Sequence, residues 1–425
     1  MKKLIFLITI MFAVSITMAQ NTTTVTQNGN LNNAAVTQTN SSNSATVTQT
    51  NNNLSSSISQ AGMVNKATVE QTSTGVLNTA TIIQVQRGSA DNNSEGNLAG
   101  VKQSAGGGNS ASIDQEGKNE RYVSTNPGYG TQRGAFVNQV GSTNQAVIAQ
   151  KGIENSAKID QIGDENKASS ELTMWHSDEN IMTVYQQGNE NEAYQKGDGT
   201  DVFRTNTFSS RQVGASNYSN QLMQGQFGAA GSQENYQLSE QIGDDNTVDQ
   251  QMLNTGNMAG RNRHEAYQEG NDNIAEQLMS DGAGNTGRNN KEYITQIGDW
   301  NFARQEQTNN SDNVSRITQN GYQNTAITYQ NGSAASGSNS VIYQDGDFNE
   351  ARLDQKGGTS DIFQQGNSNI VRGINLAPFA TSYGSSILDV DQIGNSNILE
   401  LQQDNGASAT VFQSGNNNLS TVIQN

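Results

Sequence analysis

Gln139-Val-Gly-Ser-Thr-Asn144-Gln-Ala-Val-Ile-Ala-Gln150-Lys-Gly-Ile-Glu-Asn155-Ser-Ala-Lys-Ile-Asp-Gln161 states one phrase twice, Gln-x-Gly-x-x-Asn-x-Ala-x-Ile-x-Gln. The closing Gln of the first copy opens the second, which sets a period of eleven residues. From Asn to Gln, small or branched apolar residues alternate with mostly polar ones, the pattern of a strand with one buried face. The Gly two residues after each Gln, with polar residues behind it, marks the point where the chain reverses.

Outward from this stretch, complete copies open at Gln27, Gln60, Gln139, Gln150, Gln296, Gln319, Gln344, Gln392 and Gln413. The shorter core Gln-x-Gly-x-x-Asn also opens at Gln161, Gln186, Gln212, Gln241, Gln268 and Gln364. Gln38 and Gln49 keep the spacing with Asn40 and Asn51 in place of Gly, and Met223, Met252 and Met279 stand where the closing Gln is expected. From Gln139 to Gln413 the tight turns recur every 20 to 29 residues, with two strand-sized runs in each interval. One interval is therefore one coil, and its extra length gathers at the second turn, at Glu171–Glu179, Gln224–Glu234, Leu253–Arg261, Ser280–Asn289 and Val371–Ser385. The expected fold is an all-β solenoid of about 16 stacked two-strand coils, with one tight edge and one edge carrying loop insertions.

Period two puts Asn144, Ala146, Ile148 and Gln150 on one face, and Asn155, Ala157, Ile159 and Gln161 on the face opposite it. A single coil cannot bury such a face, so coils must stack, at the roughly 4.8 Å spacing of paired strands. Buried amides each cost about 1–3 kcal/mol when unpaired, yet in register the amide of one coil can bond the amide of the next. The residues expected in such structural ladders are Gln27, Asn32, Gln38, Gln60, Asn65, Gln139, Asn144, Gln150, Asn155, Gln161, Asn166, Gln296, Asn301, Gln307, Gln319, Asn324, Gln330, Gln344, Asn349, Gln355, Gln392, Asn397, Gln403, Gln413, Asn418 and Gln424.

Residues 1–19 read as a cleaved secretory signal: Lys2 and Lys3, an apolar run from Leu4 to Ile16, then Thr17-Met18-Ala19. Residues 20–425 then form one solenoid domain, with no integral membrane segment once the signal is removed. With 32% hydrophobic and 15% charged residues such a chain would be read as disordered, but the strict register argues for order. There is no cysteine, so stability has to come from the repeat itself. The formal charge of −17 becomes −19 once Lys2 and Lys3 are lost, which disfavours nucleic-acid binding.

No catalytic constellation is expected, and no cofactor or metal site. The two histidines, His176 and His264, lie in or beside insertions several coils apart and read as exposed loop residues. Carboxylates cluster at turns, as in Gly163-Asp-Glu-Asn166, Gly197-Asp-Gly-Thr-Asp201, Gly243-Asp-Asp-Asn246 and Asp345-Gly-Asp347. They read as solvated acidic turns that oppose lateral clumping, with weak calcium binding as the lesser alternative. Gly106-Gly107-Gly108 lacks the Lys-Ser/Thr of a phosphate loop and reads as a turn. Trp175, Trp300, Tyr185, Tyr267, Tyr293 and Tyr343 are candidates for an aromatic stacking face.

Exported, acidic and cysteine-free, with Gln-x-Gly-x-x-Asn-x-Ala-x-x-x-Gln recurring from about Gln27 to Gln424, the chain resembles the curlin repeat of bacterial curli subunits. The resemblance implies a structural subunit or accessory component of extracellular curli-like amyloid fibres on a Gram-negative cell surface. It would serve biofilm matrix, adhesion and cell aggregation. The implied partners are further copies of the chain, other curlin-type subunits or a nucleator, an outer-membrane secretion pore and periplasmic chaperones. The second reading is a monomeric secreted β-solenoid adhesin that binds a partner through its second-turn insertions. An ice-binding solenoid needs outward Thr in every coil; Thr37, Thr39, Thr46, Thr48 and Thr50 begin such an array, but Lys158, Asp160, Arg352 and Asp354 break it.

Overall fold

The computed structural model describes residues 20–73, 76–86, 96–118, 134–153, 155–173, 177–199, 203–225, 234–254, 261–281, 289–308, 312–331, 337–404 and 406–424. The expected signal, Trp175, His176 and the middles of the insertions at 171–179, 224–234, 253–261 and 280–289 lie outside these residues.

Alternation with period two makes each repeat a strand, and the chain deals its strands in turn to two facing sheets. The first sheet has 16 strands, from Thr22–Asn28 to Ser408–Ser414, one from each coil. The second begins at Asn33–Thr39 and ends at Leu419–Gln424. Pairing is parallel and in register, so Gln139 lies beside Gln161, and Gln161 beside Gln186. The protein is thus an all-β parallel solenoid, with no α-helix among the described residues. The expected coil number of about 16 equals the strand number of the first sheet. Complete turns number about 13, and three second-sheet strands are split: Lys167–Leu172 with Ser177–Asp178, Glu192–Gly199 with Phe203–Arg204, and Ile370–Arg372 with Ala380–Tyr383.

The last of these splits corrects the expected place of one insertion. Val371–Ser385 does not swell the second turn alone: Ala351 pairs with Val371 and Leu353 with Ala380, so seven extra residues bulge out of the middle of a strand. The bulge contains the short 3-10 turn Ile374–Leu376, Gly373 N–H closes it on Ala377 O at 3.0 Å, and Phe379 packs on Tyr329 with ring centroids 4.9 Å apart. Coil length alone cannot tell a bulge from a long turn, since both add the same number of residues.

The tight turn owes its shape to close stacking. Gly163 has φ +118°, and a Cβ there would lie 2.0 Å from the Gly188 carbonyl oxygen of the next coil, so only Gly fits. Two residues on, Glu165 takes the left-handed conformation at φ 60°, and its N–H donates to Ser142 O at 2.9 Å across coils. Trp300 occupies the equivalent place with φ 60°. The hydrogen bond to the neighbouring coil offsets the strain of a non-glycine residue there.

Inside, Val47, Val69, Val101, Val137 and Ile159 form one apolar column, and Ile58, Ile82, Ile113 and Ile148 form another. A polar belt then crosses the core. The column that begins Ala45, Ala67, Ala99, Ala135, Ala157 continues through Met182 and Phe208 to Gln237, His264, Glu292 and Ser315. His264 is therefore not the exposed loop residue that the sequence suggests. It lies in strand Arg263–Glu269 with its side chain fully buried, and its Nε2 is 3.0 Å from Glu292 Oε2. The alternation decides this: His264 stands two residues after Asn262, the position taken by Ala in the parent phrase.

Candidate functional site: amide ladders and open strand edges

Sixteen glutamines, one from each first-sheet strand, form a continuous ladder from Gln27 to Gln413. Each Nε2 donates to Oε1 of the glutamine one coil later at 2.7–3.0 Å, without a gap. Gln27, Gln139, Gln161, Gln296, Gln319, Gln344, Gln392 and Gln413 all stand in it. The second Nε2 hydrogen goes to backbone carbonyls, as from Gln186 to Lys167 O and Asn191 O, both at 2.9 Å.

A second ladder runs through the tight turns from Asn109 to Asn418, where each Asn Nδ2 donates to the preceding Asn Oδ1 at 2.8–3.1 Å. Asn144, Asn166, Asn301, Asn324, Asn349, Asn397 and Asn418 belong to it, whereas Asn32 meets the backbone N–H of Leu54. Asn65 bonds Asn43 at 3.1 Å, and Asn155 accepts from Asn180 at 2.9 Å, in the equivalent ladder of the second turn. Asn donors point backward along the stack and Gln donors forward, so the two sets of side-chain dipoles oppose one another.

The closing glutamines of the second sheet behave differently. Gln38, Gln60, Gln84, Gln115 and Gln150 are linked in sequence at 2.7–3.1 Å. The column then passes through Leu172, Gly197, Met223, Met252 and Met279 before it resumes at Gln307, Gln330 and Gln355. Gln403 and Gln424 pair in register beyond Ser382. The two ends of the gap carry the expected defect: Gln150 Nε2 and Gln307 Oε1 are buried without a hydrogen-bond partner.

Where the outer glutamines are missing, a substitute ladder lies two residues inward. Gln195, Gln221, Gln250, Gln277 and Gln305 bond in succession at 2.8–3.1 Å, and Ser170 Oγ donates to Gln195 at 3.0 Å. These residues were not picked out from the sequence. Their signal is the recurrence of Gln-x-Met at 221–223, 250–252 and 277–279: amide and apolar residue exchange places on the same inward face.

The acidic turns are not merely solvated. Asp164 Oδ1 accepts Ser142 N–H at 2.7 Å, Asp244 accepts Ala215 N–H at 2.7 Å, and Asp347 accepts Tyr322 N–H at 3.0 Å. Asn189, Asn271, Asn367, Asn395 and Asn416 make the same bond in other coils. A carboxylate or amide after the turn Gly thus holds the preceding coil's backbone. No group of three His, Cys, Asp or Glu able to hold a metal ion occurs among the described residues.

The outer face of the first sheet carries Tyr185, Tyr267, Tyr293 and Tyr343 in its outward columns, while Trp300 stands at the tight turn, 54% exposed. Arg211 and Arg316 lie over the Tyr185 and Tyr293 rings at 5.9 and 5.2 Å, and Tyr343 stacks on Phe363 at 5.3 Å. Arg211 also pairs with Glu240 at 2.8 Å, one of several exposed inter-coil ion pairs that individually contribute little. At Asp361, burial first, and then the charges of Asp389 and Asp391, raise the carboxyl above its ordinary value.

At the stack's two ends the ladders stop in solvent. Val25, on the inward face of the first strand, is 45% exposed, and no residue of the last strand, Leu419–Gln424, is buried. The repeat geometry is now sufficient to compare with known families, and the model of the curlin-associated repeat matches residues 20–50 and 134–168. The chain carries curlin-associated repeats. No curated protein matches it. Residues 134–168 contain the parent phrase and both of its Gln-x-Gly-x-x-Asn turns, so the family match falls on the repeat that builds the coils. A β-solenoid of curlin repeats fits a curli-like extracellular component. None of the described helices is long and apolar enough to cross a membrane.

Proposed function

We propose that this curlin-repeat chain is a structural subunit or accessory of extracellular curli-like amyloid fibres, and that it assembles by end-to-end strand addition. The observation that supports this reading most directly is the uniform direction of the first-sheet glutamine ladder. Each coil offers donors to the next and acceptors to the last, so a second copy can continue the stack without reversing any bond. Carrying the register past the last coil sets Gln413 against Gln27, Val411 against Val25 and Gln424 against Gln38 of the next copy. Open strand edges of this kind are templates for another chain.

The proposal extends to export through the signal at residues 1–19, passage through an outer-membrane pore with periplasmic chaperones, and a place in biofilm matrix, adhesion and aggregation. The repeat family and the fold support a structural over a catalytic role. The test is seeded growth of the chain from Gln20 onward, followed by thioflavin fluorescence, for wild type and Val25→Lys. Val25 is already half exposed in its own chain, so folding should survive the substitution while growth onto that end falls at least tenfold. Wild-type growth by Val25→Lys, or a wild-type chain that never elongates a seed, would overturn the proposal.

A further inference from the structure

The buried pair His264 and Glu292 stands apart from the amide chemistry around it. Both side chains are fully buried, with His264 Nε2 3.0 Å from Glu292 Oε2, and none of the two ring nitrogens and two carboxyl oxygens makes a hydrogen bond. The neighbours in the same column are Gln237 and Ser315, both neutral. Across the core, the closing column of the second sheet supplies Met252, Met279 and Gln307, and Gln307 Nε2 reaches Lys291 O at 3.2 Å. The charged groups nearby, Arg263, Glu265 and Lys291 on the pair's own sheet and Glu276, Arg304 and Glu306 on the other, alternate to the outward faces and are half-buried or exposed. Among the described residues, therefore, no counter-charge enters the core beside the pair to balance an ion. A buried carboxylate with no cation to balance it is strongly disfavoured, whereas a protonated Glu292 beside a neutral imidazole 3.0 Å away leaves no net charge in the core.

We propose that the solenoid takes up one proton as it folds, carried on the Glu292 carboxyl group beside His264, so that folding is most favourable in a mildly acidic medium. Burial acts on both groups in the required direction: it raises the Glu292 carboxyl well above its ordinary value of 4.5 and pushes His264 down from 6.5 to about 3. Above about pH 6.5 the unfolded pair holds no proton and the folded pair one, so stability falls as pH rises. Between 4.5 and 6.5 each state holds one proton, and the pair contributes no pH dependence. Below 4.5 the unfolded pair holds two, and stability falls again as pH drops. One proton corresponds to a tenfold change in the folding equilibrium per pH unit.

The experiment compares denaturant unfolding of the chain from Gln20 onward between pH 6.5 and 8.5, for wild type and Glu292→Gln, whose amide matches the protonated carboxyl in shape but binds no proton. The expected result is a wild-type equilibrium that weakens by about tenfold per pH unit more steeply than that of the variant. Equal slopes would overturn the proposal. A second measurement needs no variant: the infrared carbonyl band of a protonated carboxyl group should persist in folded wild type at pH 7.5 and vanish on unfolding. Its absence from the folded chain would equally overturn the proposal.

Discussion

Two glutamines of the parent phrase, eleven residues apart, should respond very unequally to the same substitution. Gln161 lies within the unbroken ladder: it accepts from Gln139 and donates to Gln186 Oε1 and Gln145 O, each at 2.9 Å. Gln161→Met keeps the side chain's length but leaves Gln186 Oε1 and Gln145 O without this donor, while Gln139 Nε2 retains Ser110 O at 3.0 Å. At about 1–3 kcal/mol for each buried group left unpaired, the loss for the two is about 2–6 kcal/mol, a factor of roughly 30 or more in the folding equilibrium. Gln150 stands at the edge of the gap. Gln150→Met removes the acceptor of Gln115 Nε2, 3.1 Å away, but it also removes an Nε2 that is already buried without a partner. The two effects are similar in size and opposite in sign, so the net change should lie within about 1 kcal/mol. Methionine fits the site, since Met223, Met252 and Met279 are fully buried in the same column. Guanidinium titration of each variant, followed by circular dichroism and compared at the transition midpoint, measures the difference. Equal destabilisation by the two substitutions would refute the view that bond continuity, more than residue type, sets the worth of each amide.

Gly163→Ala should prevent stacking of its coil, because the added Cβ would meet the Gly188 carbonyl oxygen at 2.0 Å with φ at +118°; a cost of more than about 3 kcal/mol is expected as a loss of folded signal. Asp244→Asn should be tolerated within about 0.5 kcal/mol, since Asn189 and Asn271 make the same bond in neighbouring coils, whereas Asp244→Ala should lose about 0.5–1.5 kcal/mol with the bond from Ala215 N–H. Comparing their unfolding midpoints separates the hydrogen bond from the charge.

The period of eleven, the parity of the inward residues and the place of Gly in the tight turn are all local in the chain, and from them the two-sheet solenoid can be read directly. Local patterns also contain the Gln-x-Met exchange, although its meaning appears only when the strands are stacked. What the sequence by itself determined is therefore the coil: which residues face inward, and where the chain turns. Which residue stands above which is settled by the stacking of coils. Neighbouring coils differ in length, so Gln103 meets Gln139, 36 residues away, while Gln344 meets Gln364 after 20. Only the pairing of strands shows that Leu172 follows Gln150 and that His264 meets Glu292. The physical reason is that backbone pairing fixes each column whatever the length of the connecting turn, so a side chain's partners come from the stack and not from its distance along the chain.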